Sequence, residues 1–597
     1  MNTPSKLWEI GKFLIGVAQG HIKADLVVRD VKLVNVYTGE IIDGINIAVY
    51  RDRIAHVGTK IEHTIGSKTK VINARGLYAV PGFLDGHVHI ESSMLLPTEF
   101  AKAVLPHGTT SVFADPHEIA NVLGVRGIKL MLNISNDLPL RVFIAIPSCV
   151  PASSPEFETA GASIEPRDVG RCLRWDRVIG LAEVMNYPGV LACDEKMLDE
   201  ITITLRAGKV VEGHYASPEL DEKLSAYIAC GISSCHEAIR RIDALERARR
   251  GMWAMVREGS AWRDLHEVIK AVTEYKIDSR RIVLITDDRH VDDIIYEGHM
   301  DFVVRRTIEE GVDPIKAIQM ATINTAEHYN VDMDLGGIAP GKYADMLIIN
   351  DLSKIDIKLV IAGGRVVVRD GKLLVSIKRP KIPKWALNTI NTNFVGPDDF
   401  KIRAPESKDI VDINVAEVIE GKVITKHVIE RVKVTNGLVN ADAERDLAKV
   451  AVIERHHKTG NIGLGFVKGF GFKAGAVAST VAHDSHNLIV VGVNDEDMAF
   501  AANELIKIGG GIIVVKNREV LGLVELPVAG LMSLDSADVV ASKVKGLQEA
   551  WVKVAREMIS PFMTLSLLSL SVLPELRITD KGVIDTVNFR RIPLIVS

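Results

Sequence analysis

The sequence predicts an α/β protein. Its parts are a (β/α)8, TIM-like barrel, a small β-sandwich domain built from both flanks of the barrel, and a C-terminal α/β domain. Three observations lead there. Between residues 81 and 331, eight short apolar runs alternate with helical stretches, the pattern of repeated βα units. Polar residues follow every run, as a barrel whose site is built at the C-terminal ends of its strands requires. Two turn-rich segments of β texture bracket this unit, and neither has enough strands to close a core alone.

In chain order, residues 1–20 mix apolar positions with Lys6, Glu9 and Lys12, an amphipathic helix rather than a secretory leader. Runs at 26–28, 31–36, 45–49 and 54–57 are parted by Arg-Asp, Thr-Gly and Arg-Asp-Arg turns. Barrel strands are expected at 80–84, 110–114, 142–146, 178–182, 210–213, 232–235, 253–256 and 282–286. The β texture returns at 344–349, 355–361, 365–368 and 372–375. A link with Pro and Asn (378–397) precedes the last α/β unit. Boundaries therefore fall at 1–80, 81–331, 332–385 and 386–597. Glycine-rich stretches at 461–476 and 509–511 match neither Gly-x-Gly-x-x-Gly nor the P-loop and read as tight turns.

Composition narrows the class. At 597 residues, two to four domains are expected, and 47% hydrophobic with 25% charged residues describes a soluble globular chain. A net charge of −5 argues against nucleic-acid binding, and no apolar stretch reaches the length of a membrane span. Five scattered cysteines without Cys-x-x-Cys suit reduced thiols in a cytoplasmic protein.

The chemistry centres on His87-Val88-His89. On a strand, residues i and i+2 share a face, so both imidazoles can grip one ion. Glu183, His214, His236 and Asp287 stand past later strands. Six such groups exceed what one catalytic ion needs, and two divalent ions bridged by Glu183 would use them all. Asp287, favoured over its neighbour Asp288, is placed to touch one ion and take the proton of an activated water.

Pro81-Gly-Phe-Leu-Asp-Gly-His-Val-His89 resembles the first-strand signature of the amidohydrolase superfamily. Thr322-Ile-Asn-Thr-Ala-Glu327 and Leu335-Gly-Gly-Ile-Ala-Pro-Gly-Lys-Tyr-Ala-Asp345 resemble the segments that lead back to its β-domain. More narrowly, four segments resemble the adenine deaminase family: His87-Val-His-Ile-Glu-Ser-Ser-Met94, Ala114-Asp-Pro-His-Glu-Ile-Ala-Asn-Val-Leu-Gly124, Thr286-Asp-Asp-Arg-His290 and Val481-Ala-His-Asp-Ser-His-Asn487. The likeness runs nearly end to end.

The resemblance implies hydrolysis of adenine to hypoxanthine and ammonia in purine salvage. Two divalent metals, manganese foremost with iron or zinc as alternatives, would activate hydroxide for attack at C6. The ring then needs an acid, for which Glu237 is preferred over Glu258. Asp115 and His117 are expected to bind substrate or support the metals. His483, Asp484 and His486 are expected to bind an additional ion, fold over the mouth into the purine pocket, or form a hydrogen-bonded turn. The expected partner is the small-molecule substrate alone, with no nucleic acid or membrane, in a homo-oligomer (dimer or tetramer). Competing readings are another amidohydrolase acting on a different aminopurine or cyclic amide, and a non-catalytic purine- or metal-binding relative.

Overall fold

The computed structural model describes residues 5–405 and 408–596. Its centre is a parallel eight-stranded sheet: β1 (Phe83–Val88), β2 (Thr109–Ala114), β3 (Arg141–Ile146), β4 (Val178–Val184), β5 (Val210–Gly213), β6 (Ser234–Cys235), β7 (Trp253–Arg257) and β8 (Ile282–Ile285). The ring closes just past β8, where the Asp287 amide donates to His87 O at 3.0 Å and the His89 amide donates to Asp287 O at 3.2 Å. The expected TIM-like barrel is therefore present, and its seam runs through three of the expected site residues.

Packing makes the floor of the site dry. Leu84, Phe113, Trp253, Met255, Val283 and Ile285 form one buried cluster with Tyr329. Phe113 stacks on Tyr329 at 3.9 Å and on Phe143 at 5.0 Å between ring centroids. Burial of each such side chain stabilises the barrel by about 1.5–3 kcal/mol. One polar tie crosses the seam above them, where Asp85 accepts from the Thr286 amide at 3.1 Å and from its hydroxyl.

The first barrel strand differs from the sequence expectation. Tyr78–Pro81 belongs to another sheet, where it pairs antiparallel with Met346–Ile349, and β1 starts only at Phe83. Gly82 is the switch between them, because a Cβ there would collide with the Thr110 side chain. The shift carries His87 into β1 and leaves His89 just beyond its end.

That pairing joins the two flanks of the barrel. Leu26–Asn35, Glu40–Tyr50, Arg53–Gly58 and Lys70–Asn73 share one nine-stranded sheet with Met346–Ile349, Ile357–Ala362, Arg365–Arg369 and Lys372–Leu373. Alternation sorts its residues. Leu26, Val28, Ile47, Val49, Met346 and Ile348 pack together on one face. Val27 and Ala48 point the other way and receive Ile10, Leu14 and Val17 of the helix Leu7–Ala18.

A ten-stranded sheet with its helices follows, and a three-stranded sheet ends the chain. Asn494 caps the helix Asp495–Ile508 through the Asp497 amide, and Gly509 ends it at φ +86°. Part of the glycine-rich stretch is a strand (Ile462–Lys468) rather than a turn. Gly463 lets it approach Thr579 O, which a Cβ would strike. The helix Ala537–Trp551 reaches the barrel, where Gln548 Nε2 donates to Asp292 Oδ2 at 3.0 Å. The segment 481–487 then lies over the barrel mouth, with Asn487 Nδ2 donating to Thr159 O at 2.9 Å. No helix among the described residues is long and apolar enough to cross a membrane.

Candidate active site

The strand ends deliver the expected residues to one place. His87 is inside β1, and His89 follows it with its Nδ1 3.0 Å from Asp115 O, which aims Nε2 back at the mouth. Ser148, past β3, donates to Glu183 O at 2.8 Å and so fixes the end of β4. Tyr227 ties two strand ends together, donating to Val184 O at 2.6 Å and accepting from the His214 amide at 3.0 Å. Asp287 has φ +59°, a left-handed conformation that aspartate tolerates better than most residues.

Glu183 is the hub. Its Oε1 lies 3.4 Å from His89 Nε2 and 4.0 Å from His87 Nε2, whereas Oε2 lies 2.6 Å from His214 Nδ1 and 3.3 Å from His236 Nε2. One carboxylate thus divides the four imidazoles expected as ligands into two pairs, with His117 beside the first. Asp287 Oδ1 completes the first pair, at 3.1 Å from His89 Nε2 and 3.6 Å from His87 Nε2. Asp288 turns away to accept from the Ser92 hydroxyl.

The electrostatics favour positive charge here. Burial opposes ionisation of Glu183, but its contacts to His117, His214 and His236 outweigh that and hold the carboxyl well below its usual range. Burial also opposes a charge on His214, yet Glu237 and Glu183 pull it up to about 9. Burial, then the neighbouring imidazole, lowers both His87 and His236, leaving each with a free lone pair. This donor set fits divalent cations. His87, Glu183 and His236 offer one cluster of ligand atoms within 4.8 Å of one another, and His87, His89 and Asp287 offer another.

Around this centre the other expected residues separate. Asp115 Oδ2 lies 3.0 Å from His117 Nδ1, which is itself 3.2 Å from Glu183 Oε1, so both belong to the mouth. Arg257 Nη1 lies 2.5 Å from Glu237 Oε1 and 2.9 Å from Asp287 Oδ2. Although burial works against it, Arg257, then His214 and His236, bring the Glu237 carboxyl to about 2. Glu237 therefore stands beside the mouth as an acceptor for Arg257, a pull against which the ring acid expected here would have to gain its proton. Glu258, raised to about 7 by burial, is not brought in, because the charges acting on it are Arg263, Arg306 and Arg289 rather than the histidines. His483, Asp484 and His486 arrive from the C-terminal unit, with Asp484 Oδ1 3.9 Å from His117 Nε2.

Sequence reasoning passed over two neighbours. Glu212 Oε2 lies 3.0 Å from His87 Nδ1. Its signal was present, since Glu212 and His214 are two apart and share a face as His87 and His89 do. Glu118, beside His117, meets both His483 and His486.

A small cavity of about 30 Å³ lies beside the mouth, lined by Glu91, Ser92, Met94, Val481, Phe562 and Met563 among others. Its walls come from both the barrel and the C-terminal unit.

Comparison with known proteins adds the lineage. Residues 78–367 match the amidohydrolase family, and residues 422–590 match the adenine deaminase C-terminal domain. The chain is 51% identical over 596 residues to an adenine deaminase of Moorella thermoacetica, covering 100% of each. It is 48% identical to one from Clostridium botulinum, covering 99% of this chain and 98% of that one. It is also 48% identical to an "adenine deaminase 3" of Rhizobium meliloti, covering 98% and 99% respectively.

Proposed function

The chain belongs to the adenine deaminase family, and from that premise we propose that its barrel mouth hydrolyses adenine to hypoxanthine and ammonia with two divalent cations. One would be held by His87, His89 and Asp287 and the other by His214 and His236, with Glu183 between them. The observation that carries this is the division of the four imidazoles His87, His89, His214 and His236 between the two oxygens of Glu183. Manganese is the favoured metal, with iron or zinc as alternatives. When bound, such cations acidify water towards neutrality and polarise the bond under attack.

The chain's own groups do the rest. Asp287 Oδ1 takes the two protons of the attacking water in turn, delivering one to ring nitrogen N1 as C6 becomes tetrahedral and the other to the departing 6-amino nitrogen, while Arg257 holds its other oxygen still. The ionised Glu237 carboxylate accepts a hydrogen bond from the purine. The approach beside Ser92 is lined mainly by apolar side chains, which suit the faces of a flat purine ring. His483, Asp484 and His486 close that side and keep bulk water from the reacting carbon.

Ammonia release from adenine, run beside adenosine with and without added Mn²⁺, tests this reading. Metal-dependent turnover of adenine alone is expected. Turnover of adenosine at the same rate would place the specificity elsewhere, and no release from adenine under any metal would overturn the reading.

We also propose a homo-oligomer in the cytoplasm. Trp8 and Ile15 project from the first helix at 82% and 61% exposure, apolar surface that a second subunit would cover. All five cysteines are free, as a reducing compartment allows. Sedimentation equilibrium giving only a monomer mass would remove the oligomer.

A further inference from the structure

We propose a third divalent-cation site at the seam between the barrel and the C-terminal unit, with His117 and Glu118 from one side and His483 and Asp484 from the other as its ligands. Glu118 Oε1 lies 3.3 Å from His117 Nε2 and 2.9 Å from His483 Nδ1. Asp484 Oδ1 lies 3.9 Å from His117 Nε2 and 3.6 Å from His483 Nδ1. A four-coordinate ion with ligands near 2.1 Å sets its donor atoms about 3.4 Å apart, and these separations scatter around that value. Two imidazoles and two carboxylates also balance a divalent charge.

The surroundings are those of a ligand shell. All four residues are at most 4% exposed. Neither Glu118 oxygen nor Asp484 Oδ2 completes a hydrogen bond of normal geometry among the described residues, a costly state for buried carboxylates. Asp115 Oδ2 stands 3.0 Å from His117 Nδ1, the carboxylate support that metal-bound imidazoles usually have. His486 is placed as a supporting donor rather than a ligand. Its Nδ1 accepts from the Ala482 amide at 3.2 Å, which leaves the proton on Nε2, facing the second oxygen of Glu118.

Imidazole with carboxylate selects a first-row divalent ion such as Zn²⁺, Fe²⁺ or Mn²⁺ over Ca²⁺ or Mg²⁺. Such an ion would pin the segment 481–487 onto the barrel mouth and hold His117 against Glu183. The site does not depend on the two-cation reading of the mouth.

Anomalous difference maps from crystals of the full chain, loaded separately with Mn²⁺ and with Zn²⁺, test both at once. A peak enclosed by His117, Glu118, His483 and Asp484 is expected in the wild type with at least one of the metals. In His483→Gln that peak should vanish while peaks at the mouth persist, and metal content by plasma mass spectrometry should fall by one equivalent per chain. Peaks at the mouth with none here for either metal would overturn the third site and leave Glu118 held by imidazole N–H groups alone. A peak here with none at the mouth would support this site and overturn the two-cation reading instead. The wild-type map decides even where the variant fails to fold.

Discussion

Arg257 and Asp287 form a buried ion pair, Nη1 to Oδ2 at 2.9 Å, on the side of Asp287 that faces away from His89. The same guanidinium nitrogen reaches Glu237, and another reaches Asp264 at 2.8 Å. One cation therefore serves three carboxylates in a place where none could stay ionised unpaired. It leaves only Oδ1 of Asp287 free to work at the mouth.

Arg257→Met should accordingly cost more than its distance from the histidines suggests. Removing one partner of a buried pair costs about 3–5 kcal/mol, because the other charge is left uncompensated. Lower thermal stability and a fall in kcat of about 100-fold or more are expected. Arg257→Lys should recover part of the stability but less of the rate, since a single ammonium cannot span three acceptors in a fixed plane. Steady-state kinetics and thermal melts check both, and near-normal kcat in Arg257→Met would show that Asp287 needs no such anchor.

The Glu183 hub makes a second prediction. Glu183→Gln removes the charge between the two imidazole pairs, and His89→Ala removes one donor from the first pair. Each should lower bound metal and abolish turnover of adenine. Metal analysis and an ammonia assay on the same preparations decide it, and full occupancy with normal rate in either variant would sink the ligand assignment.

Most of this centre was legible beforehand because its signals are local. A barrel strand is a short apolar run, its functional end is the next residue or two, and His87-Val88-His89 declares its own geometry through a period of two. What stayed hidden was set by packing at long range. That Glu237 is ionised depends on Arg257, twenty residues on, and on burial that no run of sequence displays. The arginines that act on Glu258, namely Arg263, Arg306 and Arg289, likewise come from later segments of the chain. The meeting of Glu118 with His483 and His486 joins segments more than 360 residues apart, through packing of the C-terminal unit on the barrel. The boundary of β1 was misplaced for a steric reason, the collision that only Gly82 avoids.

Glu212 makes a third test, of support rather than ligation. Its contact with His87 Nδ1 fixes the ring so that Nε2 faces the mouth. Losing such support typically lowers metal affinity about 10–100-fold. Glu212→Gln, which keeps an acceptor, should sit near the low end and Glu212→Ala near the high end. Metal titrations of the stripped protein measure the difference, and unchanged affinity in both would mean that β1 alone orients His87.

Glu200 offers a prediction about stability, far from the mouth. On the helix Glu195–Arg206 its side chain is fully buried, with Lys196 as its charged partner at 3.1 Å. Burial outweighs Lys196 and raises the carboxyl from 4.5 to about 7. The folded state thus binds this proton more tightly than the unfolded state does. Its stabilising effect is fully present below about pH 4.5 and is lost as pH rises through about 7. Glu200→Gln stays neutral throughout and escapes that loss. It should melt with the wild type at low pH and above it at pH 8, by up to about 3 kcal/mol, the value of a shift of that size. Melting temperatures of both proteins at pH 5 and pH 8 measure the effect. A gap that fails to widen between the two would mean that Glu200 titrates as an ordinary carboxylate, with Lys196 offsetting its burial.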